Sequence, residues 1–406
     1  MNISNELSKN KEDFLVSIFL ISLPIIFLTG SSVINSSIII IDIYFLYVLF
    51  INKDFKYLNN KYFYSLIAFW VYLIINFFFS INYVDSLPRS VGLLRFIIFA
   101  FAINYFFNLK SNIIKKTILN CWTFIFLFIS VDLIFEFIFG YNLFGFKSPF
   151  DGRLGGVMGE ELKIGHFYSA FVLIILLNLN NIIKKDFNNK YIFYLIIFLF
   201  LLVSLMIGER SNFIKTFFIV LFFIFIFEKK DFLKKILFLF FVAISFYILM
   251  MNNAKIKDRI FERFLEPLLK NPVELVFNSK YGSHYKVAIL VYENNKLFGV
   301  GLKNYRLETT KKKYPREDAS IHPHQIHFEI ISELGLIGYV LFISVFFFIL
   351  FQSVKLYLKK KDSLRLCGIL FIIISLIPLL PSGSFFTTYS AALFWFNLSF
   401  VLPKNT

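Results

Sequence analysis

Cysteine is almost missing from this chain of 406 residues: Cys121 and Cys367 stand far apart in apolar stretches, without partner spacing, which excludes a disulfide framework and a thiolate metal site. Acidic residues are also scarce, 26 against 42 Lys and Arg, for a formal net charge of +16. Such an excess can mark a nucleic-acid binder. Here the basic residues sit in short groups between apolar segments, the pattern of membrane-topology signals, so no nucleic-acid partner is expected. Internal repeats and low-complexity tracts are absent apart from a Phe/Ile/Leu bias. The opening MNISNELSKNKED is polar and the apolar run after it lacks a small-residue cleavage site, so that run is expected to be retained, with the N-terminus inside.

What fills the chain is apolar. Such residues make up 58%, phenylalanine alone numbers 59 and mean hydropathy is +0.72, which excludes ordinary globular packing. Apolar runs able to cross a hydrocarbon core of about 30 Å, at about 1.5 Å per residue, recur along nearly the whole length. They predict an all-α polytopic protein, one membrane domain over 1–406, with about 12 transmembrane helices. The spans fall near 14–30, 33–51, 62–81, 90–107, 118–139, 164–182, 190–207, 212–227, 232–251, 326–353, 364–380 and 384–402. With the N-terminus inside, the cytoplasmic connections are lysine-rich (Lys53, Lys56, Lys61; Lys110, Lys115, Lys116; Lys184, Lys185, Lys190; Lys229, Lys230, Lys234, Lys235; Lys355, Lys359 to Lys361, with Arg365), as the positive-inside rule requires.

One large outer loop, 251–324, separates the ninth and tenth spans. In it Ile256, Ile260, Phe261, Phe264, Leu265 and Leu268 recur at helical spacing against Lys257, Asp258, Glu262 and Arg263, predicting an interfacial amphipathic helix limited by Pro267 and Pro272. A second helical pattern near Ser283 to Tyr292 leads into GVGLKNYR, whose glycines predict a tight turn.

Four of the five histidines lie in or at the end of this segment, three of them in IHPHQIHFEIISELGLIGY. Pro323 suits a helix first turn, which would put His324 and Gln325 among unpaired backbone N–H groups at the positive end of the dipole. A neutral imidazole there could take the proton from an acceptor hydroxyl; the competing reading is solvated interfacial histidine. Zinc is disfavoured because the i, i+4 histidine spacing of HExxH is missing.

Arginine is the second clue. Lysine dominates the inner connections, whereas Arg89, Arg95, Arg153 and Arg210 fall on the outer side, Arg210 in the turn GERSN and Arg95 inside an apolar stretch where a charge is costly. Guanidinium groups grip phosphate oxygens bidentately; snorkelling to lipid headgroups is the alternative for Arg89 and Arg210.

His324 and Gln325, a nine-residue gap, then Gly335 and Gly338 resemble the pattern of the bacterial O-antigen ligase and O-antigen polymerase superfamily. NNKLFGVGLKNYR, GERS and RLGGVMGEELKIGH resemble its Gly-Val-Gly turn, its arginine-bearing turn and its outer loop before the sixth span. The resemblance implies an inverting, metal-independent glycosyltransferase without a cofactor, in the inner membrane with its site facing the periplasm. It implies His324 as base and Arg210 on the pyrophosphate, with Arg153, Arg89 and Gln325 as substrate-binding residues; Arg95, for its place in an apolar stretch, and His322, for its place in the histidine cluster, are substrate-binding candidates apart from the resemblance. Its partners would be an undecaprenyl-pyrophosphate-linked glycan, an acceptor sugar on lipid A core or a growing glycan, and membrane lipids. A single large outer loop favours ligase over polymerase, and polar residues gathered at one face disfavour a transporter or flippase, which places them near the midplane in both repeat halves.

Overall fold

In a computed structural model the described residues are 11–403, apart from 187–189, 228–231, 274–275, 277–278 and 316–319; the polar N-terminal stretch, Lys229 and Lys230 lie outside them. Helices account for all regular structure among the described residues. In chain order they are α1 (Lys11–Leu28), α2 (Ser31–Ile51), α3 (Lys61–Phe77), α4 (Tyr83–Leu109), α5 (Asn112–Phe139), α6 (Ile164–Asp186), α7 (Lys190–Met206), α8 (Arg210–Phe227) and α9 (Phe232–Asn252). Then come α10 (Ala254–Ile256), a π-helical stretch (Lys257–Leu265), α11 (Glu266–Lys270), α12 (Lys280–Asn294), α13 (Tyr305–Glu308), α14 (Ile326–Lys360), α15 (Ser363–Ser375) and α16 (Thr388–Val401).

Each of the twelve expected spans overlies a helix, but among the described residues seven helices are long and apolar enough to cross a membrane: α2, α4, α5, α6, α8, α9 and α14. α1, α3, α7 and α15 are apolar and shorter, and α16 has 14 residues. Exposed faces explain the composition. Ile40, Ile43, Tyr47 and Phe50 on α2, and Leu233, Leu237, Phe240 and Tyr247 on α9, all stand more than half exposed. Contiguous apolar surface of this kind belongs against lipid.

Several boundaries differ from expectation. α4 begins at Tyr83, so Arg89 is on a helix and not in a connection; Pro88 lies inside that helix, past its first turn. Arg210 opens α8 and does not lie in the turn before it. Helical structure continues past Pro267 to Lys270.

The contacts divide into two compact units of interleaved segments. The first takes 1–34, 105–266 and 362–374. In it α6 is the most enclosed helix, packing on α5, α7 and α8. The Trp122 indole N–H donates to the Leu20 carbonyl at 2.8 Å, and Phe126 packs among Phe167, Tyr168 and Phe200.

The second unit takes 35–104, 267–361 and 375–406. Its axis is α14, which packs on α3 and α12. α14 is broken at Gly335, where φ is 69° and ψ −171°, a region open in practice to glycine alone. Carbonyls freed there accept N–H groups from the segment carrying the Gly-Val-Gly turn: Val300 donates to Ser332 at 3.1 Å and Gly301 to Glu333 at 2.8 Å. In return Leu336 donates to Lys296 at 2.8 Å, and the Tyr72 hydroxyl donates to Leu334 at 2.7 Å. The two glycine motifs of the sequence thus meet: a Cβ on Gly335 would overlap the Leu297 carbonyl and the Gly299 nitrogen.

Candidate active site

The chain enters α14 through His324 and Gln325, and neither is in its first turn. Gln325 is the N-cap: its Oε1 accepts from the His327 and Phe328 N–H groups at 2.6 and 3.1 Å, and its Nε2 donates to Ile377 at 3.3 Å. Gln325, expected to bind substrate, is buried and committed to the helix start. His324, one residue earlier, adopts a left-handed conformation at φ 57°, pinned by its own carbonyl, which accepts from the Ser382 N–H at 2.7 Å. A bulky residue with positive φ stores strain where the surrounding structure over-determines it, a recurrent property of functional sites.

Three imidazoles gather at this point. The ring of His324 lies 4.0 Å from that of His322 and stacks at 5.3 Å on that of His284, with Tyr281 edge-on at 5.7 Å; its Nε2 is 3.0 Å from the Ser320 hydroxyl. Burial, with His322, His284 and Lys280 adding positive charge nearby, pushes the His324 pKa down to about 3, so the ring is neutral at physiological pH. His322 shifts the same way, from burial first and His284 second, and its Nε2 is buried without a hydrogen-bond partner. His327 is turned away: Nε2 donates to the Leu376 carbonyl at 2.7 Å, leaving Nδ1 to accept from the Tyr339 hydroxyl at 3.1 Å. His324 and His327 therefore share no helix face. Among the described residues no group of His, Cys, Asp and Glu is arranged to hold a metal ion.

Arg89 and Arg95 also belong to the second unit. With Gly92 they fall on one face of α4, lining a cavity of about 310 Å³ that Lys303 and Phe386 complete. Arg89 donates to the Phe386 carbonyl at 2.6 Å, and the Arg95 guanidinium lies 4.7 Å from the centre of the Phe96 ring.

Arg153 and Arg210 belong to the first unit, where they meet two arginines that sequence reading did not single out as site residues. The Arg153 guanidinium pairs with Glu209 at 2.6 Å. Arg210 donates to the Arg263 carbonyl at 3.2 Å, Arg259 to the Gly208 carbonyl at 3.2 Å, and Arg263 pairs with Asp258 at 2.9 Å. Burial lowers the Arg259 pKa first, followed by the charges of Arg153, Arg210 and Arg263, so Arg259 feels the other three cations. The Nε atoms of Arg153 and Arg259 are buried without a hydrogen-bond partner. Burial also raises the Glu209 pKa despite Arg153. Arg259 and Arg263 are spaced i, i+4 beside the stripe containing Ile256 and Ile260, a signal that could have marked them.

Residues 193–343 match the O-antigen ligase family. No curated protein matches the chain. The matched stretch holds Arg210, Arg259, Arg263, Lys303, His322, His324, Gln325 and both α14 glycines, whereas Arg89, Arg95 and Arg153 lie before it. It supports a glycan-processing enzyme of the O-antigen ligase type, with a lipid-linked glycan and an acceptor sugar as the general substrate classes, in a multi-pass membrane protein.

Proposed function

We propose that this chain transfers a glycan from undecaprenyl pyrophosphate to an acceptor hydroxyl at the periplasmic face of the inner membrane, without a metal. The observation that carries the reading is His324: a neutral imidazole, held in a strained backbone conformation at the start of α14, within the stretch that matches O-antigen ligases.

The acceptor oxygen attacks the anomeric carbon while the bond from that carbon to the pyrophosphate oxygen breaks. A single displacement inverts the configuration. The hydroxyl proton passes to His324, and the electron pair leaves on the pyrophosphate, which remains on the polyprenyl chain. The family resemblance assigns Arg210 to the pyrophosphate; within its own unit, Glu209 and Asp258 occupy Arg153 and Arg263, whereas Arg210 and Arg259 donate to carbonyls and have guanidinium N–H groups to spare. A bound anion would relieve the repulsion that Arg259 feels from the other three. A histidine with a depressed pKa is a weak base in the free protein, and the negative charge of the bound donor would stabilise its imidazolium.

The test is His324→Asn, because asparagine tolerates a left-handed backbone and keeps the turn. In membranes with wild-type protein abundance, glycan transfer should fall by about 10²- to 10⁴-fold while donor binding persists. Undiminished transfer would remove His324 from the reaction.

A further inference from the structure

α15 ends at Ser375, and before α16 opens at Thr388 the chain runs from Leu376 to Thr387 as LIPLLPSGSFFT. Pro378 and Pro381 have no N–H to donate, and Leu379 is left-handed at φ 65°. Among the described residues, the hydrogen bonds within this connection all involve Ser384: its Oγ accepts from the Phe386 N–H at 3.4 Å, and its carbonyl accepts from the Thr387 N–H and hydroxyl at 3.4 and 2.9 Å. Residues 376–383 are held from outside, by the surroundings of His324. His327 donates to the Leu376 carbonyl at 2.7 Å, Gln325 to that of Ile377 at 3.3 Å and the Tyr285 hydroxyl to that of Leu379 at 3.3 Å. In the other direction the Ser382 N–H donates to the His324 carbonyl at 2.7 Å.

That last bond bears on the ring itself, because a histidine holds positive φ only where its surroundings fix it. Ser382 must stay in place for the peptide after His324 to stay in place. The grip on Ser382 comes two and three residues further on. Glu329, buried in the first turn of α14, directs both carboxylate oxygens at the connection: one accepts from the Phe385 N–H at 2.7 Å, the other from the Ser384 hydroxyl. An acidic residue in a first turn ordinarily serves the free N–H groups and dipole of its own helix. Here Gln325 already takes the N–H groups of His327 and Phe328, and the Glu329 oxygens turn away to another segment. Arg89 secures the next residue by donating to the Phe386 carbonyl at 2.6 Å. Glu333, one turn on, acts likewise on the Gly-Val-Gly side, accepting from the Lys303 and Tyr305 N–H groups. Hydrogen bonds to a buried carboxylate are strong, and leaving their donors unpaired is costly, so the grip at 384–385 is firm.

We propose that Glu329 is a positioning residue for His324: through Ser384 and Phe385 it fixes the connection whose Ser382 N–H holds the proposed base in its left-handed conformation. The word base rests on the transferase reading above; the positioning does not.

The experiment is nuclear magnetic resonance on the full chain in nanodiscs with isotope-labelled histidine, the His324 signal being the one lost in His324→Asn. His284, His322, Lys280 and Tyr281 face the ring, and buried among them the wild-type His324 should remain neutral at about pH 5. In Glu329→Ala the ring is free to leave that cluster, and its pKa should rise into the range of about 5 to 6.5 as burial is lost. Ser384→Ala, which removes one of the two bonds from the other partner, should raise it as well. Glu329→Gln should keep the wild-type titration, since its amide oxygen serves the Phe385 N–H and its amide nitrogen can donate to the Ser384 hydroxyl. In transfer assays Glu329→Ala should lose about 10- to 100-fold in kcat at unchanged donor KM, as a misplaced group does, and Glu329→Gln should recover most of it. An unchanged His324 titration in Glu329→Ala and Ser384→Ala overturns the proposal, and Ser384→Ala decides alone where Glu329→Ala does not fold. A wild-type kcat in both, where His324→Asn is inactive, overturns it too. So does a Glu329→Gln shifted as far as Glu329→Ala, because the charge and not the grip would then be what acts. A shifted titration in a protein whose His324→Asn variant still transfers glycan leaves the positioning standing and refutes the reaction reading alone.

Discussion

Gly335→Ala is the sharpest perturbation of the arrangement that connects His324 to Lys303. At φ 69° and ψ −171° a side chain meets the backbone conformation that L residues avoid, at a cost of about 1–3 kcal/mol. The added methyl also overlaps the Leu297 carbonyl and the Gly299 nitrogen, backbone atoms with no rotamer to yield, for about 1–3 kcal/mol more of overpacking. Because the clash lies on the pairing between 296–301 and α14, relief requires those hydrogen bonds to open, which frees Lys303 and Tyr305 from Glu333. Gly338→Ala is the internal comparison: its Cβ also meets Tyr72 and Leu334 closely, but these are side-chain atoms and the backbone there carries no positive φ. Chemical unfolding in mixed micelles should show Gly335→Ala destabilised by about 2–6 kcal/mol, clearly more than Gly338→Ala. Asparagine should not rescue position 335, since this region lies outside the left-handed helical basin that asparagine accepts. Equal stability of Gly335→Ala and wild type would refute the strain and the docking together.

Four further outcomes are expected. Protonation removes the proposed base, and because the His324 pKa is depressed to about 3, kcat/KM should stay level as pH falls from 8 to 5 and decline only nearer 3; a titration near 6.5 in the free enzyme contradicts the buried cluster. The same depression means the unfolded chain takes up the proton first, so the contribution of His324 to stability should diminish as pH drops below about 6.5 and no further below 3, readable from unfolding at pH 7 and pH 5. Arg210→Lys, which replaces a fork of donors by a point charge, should lose at least about tenfold in kcat/KM, roughly 1.4 kcal/mol, and wild-type turnover at equal abundance would assign Arg210 to topology. A cysteine at exposed position Lys312, in a chain with Cys121 and Cys367 replaced, should be blocked by an impermeant reagent before the inner membrane is opened; blocking only afterwards would put the loop in the cytoplasm.

The sequence alone determined what depends on local period and composition. Hydropathy located a helix at each of twelve stretches and excluded an aqueous fold, because the apolar faces of α2 and α9 have no place except against lipid. The spacing from His324 to Gly335 and Gly338 was legible only as a family resemblance; the structure gives its physical content as a cap at Gln325, then Ile326 to Leu334 rising about 14 Å as continuous helix, then a break that only glycine permits. Tertiary structure decided the rest. Gln325 became an N-cap once α14 began at Ile326, and Pro323 moved out of the helix with it. His284 stacks on His324 across 40 positions of sequence, and Lys303 shares a cavity with Arg89 and Arg95, more than 200 residues earlier. The helical period announced the stretch that carries Arg259 and Arg263, but their meeting with Arg153 and Arg210 came only with packing. Propensity and period act over a few residues, whereas a charge or a buried carboxylate finds its partners only after the chain has packed, which is why Glu329 and Glu333 read as an ordinary helix start until Ser384, Phe385 and Lys303 came to meet them.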